Sequence, residues 1–218
     1  MPWGTNLTSN IDKPQFTKII ANVLELPFLI KSIIYGLIIS DGFIGFAAKD
    51  SKNARLEFAQ SLAHFPYLWS VFNTLSHYCM SVPYSTKGKK YNTTTFAVRF
   101  YTRSLPCFTK LHSLWYYKGK KIIPSDIYDY LTPVALAHWI MGDGGVQNTR
   151  LVLCTDSYSN KDVVRLMNVL MIKYNLECTM EGHNRGVPRI YIKATSMANL
   201  RVLVSPFMHP TMLYKIHL

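Results

Sequence analysis

Apolar and polar positions in this chain follow two periods, one helical and one alternating, and their order occurs twice. Pro27 suits the first turn of a helix running through an apolar stretch to about Asp41. Residues 43–49 and 55–60 alternate and predict two strands. Leu68, Val71, Phe72 and Leu75 carry helical spacing within 65–78. A hairpin is predicted over 80–86 and 94–101, across the turn-rich segment 87–92, then a helix over 104–117 with Ser104 as cap. A basic linker, 118–124, follows. Thr132-Pro133 then supplies a cap and first-turn proline for another helix. A strand over 150–155, a helix over 161–174, a hairpin over 176–181 and 189–194, and a helix over 196–204 complete the chain. Residues 1–25 read as an irregular arm with a weak amphipathic piece.

The repetition holds at residue level. Arg55-Leu56-Glu57-Phe58 matches Arg150-Leu151-Val152-Leu153 at an offset of 95, and His77-Tyr78 matches Lys173-Tyr174 at 96. Asp41 and Asp143 are 102 apart, so the first half carries a longer insertion just after its aspartate. The expected fold is α+β, a pseudo-twofold monomer of two αββαββα halves, 1–120 and 121–218, with the linker beginning near 118.

Two stretches stand out: Ile34-Tyr35-Gly36-Leu37-Ile38-Ile39-Ser40-Asp41-Gly42 and Leu136-Ala137-His138-Trp139-Ile140-Met141-Gly142-Asp143-Gly144. Each is an apolar run ending in a small residue, an aspartate and a glycine. Gly42 and Gly144 are expected to stop the helices. An acid at a helix C-terminus is disfavoured by about 0.3–1 kcal/mol, and a bound cation gives a reason to keep one there. A glycine inside a helix, Gly36, costs about 1 kcal/mol against alanine, which close contact with a second helix would repay. Side-by-side packing of the two runs would bring Asp41 and Asp143 together.

Charge narrows the class of partner. Lys and Arg total 24 against 12 Asp and Glu, a formal charge of +12. Between Glu57 and Asp126 there is no acid, but there are nine bases: Lys87, Lys89, Lys90, Arg99, Arg103, Lys110, Lys118, Lys120 and Lys121. That asymmetry points to a polyanion, most often nucleic acid. Cys79, Cys107, Cys154 and Cys178 lack zinc spacing and read as buried thiols. The apolar run at 26–46 is broken by Lys31, Asp41 and three glycines, so a buried helix rather than a membrane span is expected. No cleavable signal peptide is expected.

With both motifs on the page, the sequence resembles the LAGLIDADG homing endonucleases, in particular the single-chain, two-motif, intron-encoded mitochondrial type. The frames Tyr130-Leu131-Thr132-Pro133 and Asp143-Gly144-Gly145 carry the likeness. So does the C-terminal segment from Ser205-Pro206-Phe207 to Tyr214-Lys215. Tyr35 and His138 replace small residues usual at the motif-helix contact, and Ile39 and Met141 replace the first acid of the consensus.

The resemblance implies a sequence-specific double-strand DNA endonuclease. Its motif helices would form the interface, its antiparallel sheets would saddle the major groove, and cleavage would occur across the minor groove of a long asymmetric site. Carboxylate-held hard cations would activate water and stabilise the leaving oxygen. Asp41 and Asp143 are the anionic ligands, with the carbonyls of Ser40 and Gly142 completing coordination. Mg2+ is the expected ion, Mn2+ a substitute, and Ca2+ an ion that binds without supporting cleavage. By resemblance Lys121 and Lys215 are the fixed cations beside the phosphate. Base reading falls to strand residues Lys49, Arg55, Arg99, Arg103, Arg150, Arg189 and Lys193, and phosphate contact to loop residues Lys87, Lys89, Lys90 and Arg185. The alternatives are an intron maturase binding intron RNA on the same fold, or a catalytically inactive DNA-binding protein. A monomer, no membrane association and a mitochondrial location are expected.

Overall fold

The computed structural model describes residues 9–90, 93–183 and 187–218. The side chains at 89, 90, 93, 183 and 187 are outside that description. The chain divides into two compact units. One comprises the described part of Met1–Lys31 together with Asp41–Ser113, and the other Ser32–Ser40 with Leu114–Leu218. The units therefore do not follow the sequence halves strictly, because the first motif segment packs with the second unit.

A short arm helix, α1 (Lys18–Val23), precedes the first half. That half is α2 (Phe28–Ile39), β1 (Phe43–Phe46), β2 (Ala54–Ser61), α3 (Phe65–Leu75), β3 (Tyr84–Lys90), β4 (Thr93–Tyr101) and α4 (Pro106–Trp115). A two-stranded hairpin, β5 (Tyr116–Tyr117) and β6 (Lys120–Lys121), and a single turn, α5 (Ile127–Tyr130), connect the halves. The second half is α6 (Pro133–Asp143), β7 (Gly144–Gln147), β8 (Arg150–Leu153), α7 (Asn160–Tyr174), β9 (Cys178–His183), β10 (Val187–Ile192) and α8 (Met197–Val204). The sheets run β1-β2-β4-β3 and β7-β8-β10-β9, one topology used twice, with every pairing antiparallel.

Register confirms the repeat. Phe43 faces Glu57 and Gly145 faces Val152, pairs that reproduce the 102 and 95 offsets. The inserted residues are the connection between β1 and β2, from Ala47 to Asn53, where β7 and β8 are joined only by Asn148 and Thr149. Alternation builds the core. Leu56, Phe58, Val98 and Phe100 turn one face of the first sheet onto Leu68, Phe72 and Leu75 of α3. Leu151, Leu153, Ile190 and Ile192 do the same beneath Val163, Leu166 and Leu170 of α7.

Several expectations need correction. β3 continues through Lys87–Lys90 instead of turning there, paired as far as Lys90↔Thr93. The run Thr93-Thr94-Thr95 favours an extended partner strand and lengthens the ribbon. Lys87, Lys89 and Lys90 are thus strand residues, while Arg185 lies outside the described residues. β1 ends at Phe46, leaving Lys49 in the connection. α4 begins at Pro106, not at a Ser104 cap. The linker is a tight hairpin whose central residues Lys118 and Gly119 both have positive φ, 49° and 75°, as a two-residue turn matching strand twist requires. Gly144 does close α6, as expected, and leaves it in an extended conformation (φ −73°, ψ 144°). Its missing side chain serves packing, since a Cβ would stand 2.5 Å from the Ile140 carbonyl oxygen. At 12 residues α2 is far too short to span a membrane, and among the described residues no helix is long and apolar enough to do so.

Candidate active centres and nucleic-acid interface

The motif helices meet through Gly36. A Cβ there would lie 2.3 Å from the Ala135 carbonyl oxygen and 2.6 Å from His138 Cβ, so backbone is pressed on backbone. His138 is buried at this contact, and burial lowers its pKa to about 3. Tyr35 turns away from the contact, into a cluster with Tyr130 (5.0 Å) and Trp115 (5.6 Å). Burial, reinforced by Tyr130, raises its phenol to about 12. Thr132 caps α6 by accepting from Ala135 N–H, with Pro133 in the first turn, as the sequence indicated.

Each motif helix ends under a lysine. Lys121 Nζ donates to the Ser40 carbonyl at 3.2 Å. Lys215 Nζ, only 6% exposed, donates to the carbonyls of Met141 at 2.6 Å and Gly142 at 2.8 Å. Terminal helix carbonyls lack intrahelical donors and carry the negative end of the dipole, so an ammonium is suited to both ends. β6 delivers Lys121, and a 3₁₀ segment, Pro210–Ile216, delivers Lys215. The carbonyls of Ser40 and Gly142, expected to ligate metal, are therefore lysine acceptors in this structure.

The two acids sit differently. Asp143 is the last residue of α6, and its backbone carbonyl accepts from Cys154 N–H at 3.2 Å. Asp41 lies two residues beyond α2 and is exposed. Gln60 Nε2 donates to its Oδ2 at 2.6 Å, and Gln60 Oε1 lies 3.2 Å from His64 Nδ1. Burial, with Asp41 adding to it, pushes the Tyr67 phenol upward. Sequence reasoning missed Gln60 and His64. The only trace of Gln60 was a polar residue at a core position of a strand.

The strand arginines occupy one face of each sheet. Arg55 and Arg99 alternate with the core residues of β2 and β4, and Arg150 and Arg189 with those of β8 and β10. Arg55 stacks over Tyr101 at 4.0 Å and pairs with Glu57 at 3.2 Å. Arg150 stacks over Tyr191 at 4.9 Å and pairs with Glu181 at 2.6 Å. These are equivalent residues, so the arginine–tyrosine stack is part of the duplication. The repeated tripeptides Arg99-Phe100-Tyr101 and Arg189-Ile190-Tyr191 were its available signal. Arg99 donates to Tyr101 Oη at 3.1 Å, and Arg189 holds Asp156 through two bonds at 2.8 and 2.6 Å.

Other candidates fall elsewhere. Arg103 is 8% exposed and donates to the carbonyls of Asn10, Lys13 and Cys79, with Phe16 against its guanidinium. It ties the arm to Cys79 within the first unit, so its guanidinium is committed to backbone carbonyls, unlike the base-reading role expected of it. Lys193 follows β10 and pairs with Glu177 at 3.0 Å. Lys87 is exposed near Phe96 (5.9 Å), on the sheet face opposite Arg99. Among the described residues no three His, Cys, Asp or Glu side chains converge as a metal cage.

Comparison with known proteins places this arrangement. Residues 31–200 match the LAGLIDADG DNA endonuclease family. The chain is 32% identical over 191 residues to the cytochrome b mRNA maturase bI2 of Debaryomyces hansenii, covering 84% of this chain and 72% of that one. Among solved structures it is similar to the homing endonuclease I-WcaI bound to its DNA recognition sequence, with a TM-score of 0.84 and 28% identity, covering 93% of this chain and 94% of that one. It also shares a fold with I-DmoI in complex with DNA and Mn, at a TM-score of 0.52 and 13% identity, covering 81% and 96%. With more than half its length matched and two motif helices in contact, the chain belongs to the LAGLIDADG DNA endonuclease family.

Proposed function

We propose that the chain cuts double-stranded DNA at a specific site through two centres, one built on Asp41 and Lys121 and one on Asp143 and Lys215. The chain is a site-specific DNA endonuclease by family. The observation that supports the residue assignment is the lysine bond to the carbonyl one residue before each acid. The oxygen donors fit a hard divalent ion such as Mg2+, which takes one or two carboxylates and leaves its other positions to water and substrate phosphate. Asp41 and Asp143 would hold it, and when bound it would lower the pKa of water and neutralise phosphate charge. Lys121 and Lys215, fixed by their carbonyls, present a positive charge to the phosphate without reorganising. Arg55, Arg150 and Arg189, already oriented by stacking or ion pairs, exchange their acidic partners for base edges or phosphates in the groove, and Arg99, held by the Tyr101 hydroxyl, reads beside them. Lys49, Lys87, Lys89, Lys90, Arg185 and Lys193 supply phosphate contacts.

The test is incubation with Mg2+ and a plasmid carrying the intron-free form of the host gene. A double-strand break is expected from the wild-type protein, and a break confined to one strand from Asp41→Asn or Asp143→Asn. Uncut plasmid with every divalent ion tried would overturn the assignment. The relative named as an mRNA maturase favours a second reading, intron RNA as partner in an organelle. Tight binding to that intron without cleavage of DNA would select it. A monomer and a mitochondrial location belong to the same proposal.

A further inference from the structure

We propose that His64 is a positioning residue for the Asp41 centre alone, holding the Gln60 amide in the orientation that anchors the carboxylate. The inference rests on Asp41 belonging to an active centre. A carboxylate only accepts, so the Gln60 group 2.6 Å from Asp41 Oδ2 must be the NH2. The amide oxygen then faces His64 Nδ1 at 3.2 Å, and that contact is a hydrogen bond only if Nδ1 carries the proton. A flipped amide would set oxygen against carboxylate and NH2 against the ring. The chain His64, Gln60, Asp41 thus has one self-consistent polarity. Gln60 is 8% exposed and His64 lies in the turn just after β2, so both are placed by the rigid end of the strand.

The second half does not repeat this device. The 95-residue offset puts Thr155 opposite Gln60 and Ser159 opposite His64. Thr155 donates its hydroxyl to the Pro188 carbonyl, and Ser159 caps α7 and bonds Asp162. At these two positions the halves therefore differ in chemistry. Removing a group that orients a ligating carboxylate typically costs about 10–100-fold in metal affinity or activity. His64→Ala is therefore expected to slow one strand about tenfold and leave the other at the wild-type rate. Asn carries an NH2 where the ring carries Nδ1, so His64→Asn restores the rate. Asp presents only acceptors and favours the flipped amide, so His64→Asp is the slowest.

Two measurements decide the matter. In metal-free protein at a pH where the ring is neutral, long-range 15N–1H NMR spectra should show His64 protonated on Nδ1, the less common tautomer, and Gln60→Leu should abolish that preference. Nicking of the host-gene plasmid, read strand by strand, should show the one-sided loss and the asparagine rescue. An Nε2-protonated His64, or equal slowing of both strands, would overturn the proposal. Failure of the wild type to cut either strand would instead overturn the endonuclease assignment.

Discussion

Gly36→Ala tests how closely α2 and α6 approach. The new methyl carbon would stand 2.3 Å from the Ala135 carbonyl oxygen, 3.0 Å from its carbonyl carbon and 2.6 Å from His138 Cβ. Comfortable separation is near 3.5 Å, so the helices must part by roughly 1 Å. Overpacking of this kind costs about 1–3 kcal/mol, and the upper part of that range applies because the obstacle is backbone and cannot rotate away. Against it, alanine returns about 1 kcal/mol of helix propensity. The net expectation is a loss of about 1–2 kcal/mol, from the difference of those ranges. In a chain of this size each kcal/mol shifts the midpoint by about 2–4 °C, so Tm should fall by about 2–8 °C. Thermal unfolding followed by near-UV circular dichroism measures it. If Gly36→Ala melts at or above the wild-type temperature, propensity has won and the tight contact is refuted.

Three further outcomes follow from the same geometry. Lys121→Met and Lys215→Met should each slow one strand's cleavage about 100-fold, the scale of losing a preorganised electrostatic donor, while duplex affinity in Ca2+ stays near wild type; equal loss on both strands contradicts the pairing of lysine with motif helix. Arg103→Ala removes three bonds from a charged donor to backbone carbonyls and should destabilise the chain by about 2–3 kcal/mol, measured by urea denaturation and by faster proteolysis near Phe16. His138 is held neutral, with its pKa lowered from 6.5 to about 3. Between those values the unfolded chain binds the extra proton, so stability falls as pH drops through that window, by up to about 1.4 kcal/mol per pH unit; His138→Gln should flatten this slope in pH-dependent urea melts.

What was legible in the sequence depended on local periodicity. Leu68, Val71, Phe72 and Leu75 declared α3, Thr132-Pro133 declared the start of α6, and the 95 and 102 offsets located the insertion between β1 and β2. Where a residue's partner lies far along the chain, no local pattern reports it. Arg103 looked like a groove reader because its acceptors, Asn10 and Lys13, are some 90 residues earlier. Lys87–Lys90 looked like a turn because lysines and glycine dominate it, whereas pairing with Thr93–Tyr101 decides its conformation. Gln60 gave only a polar residue at a core strand position and His64 nothing, since their meaning lies in the hydrogen-bond polarity imposed by Asp41. Gly36 is a contact glycine as its cost in a helix suggested, and Gly144 does stop α6 while also making room for Ile140.

The lysine clasps change the weight of one sequence argument. An aspartate at a helix C-terminus calls for a nearby cation, and the chain itself supplies one. Lys215 neutralises the end of α6 with two short bonds from a nearly buried ammonium. Asp143 is therefore tolerable there without metal, and the acid's position alone is weak evidence for a bound ion. Lys121 donates to the end of α2 over a longer distance and is less buried. Asp41 leans in addition on the Gln60 amide, at a position where the second half has Thr155 bonded to the Pro188 carbonyl. Duplication gave both halves one topology and one arginine–tyrosine stack, and divergence then settled the two acids by unlike means. If the proposed centres are the cutting sites, a duplex would meet one whose helix end is held by a buried ammonium and another whose acid is held by an oriented amide, and the two strands should be cut at different rates.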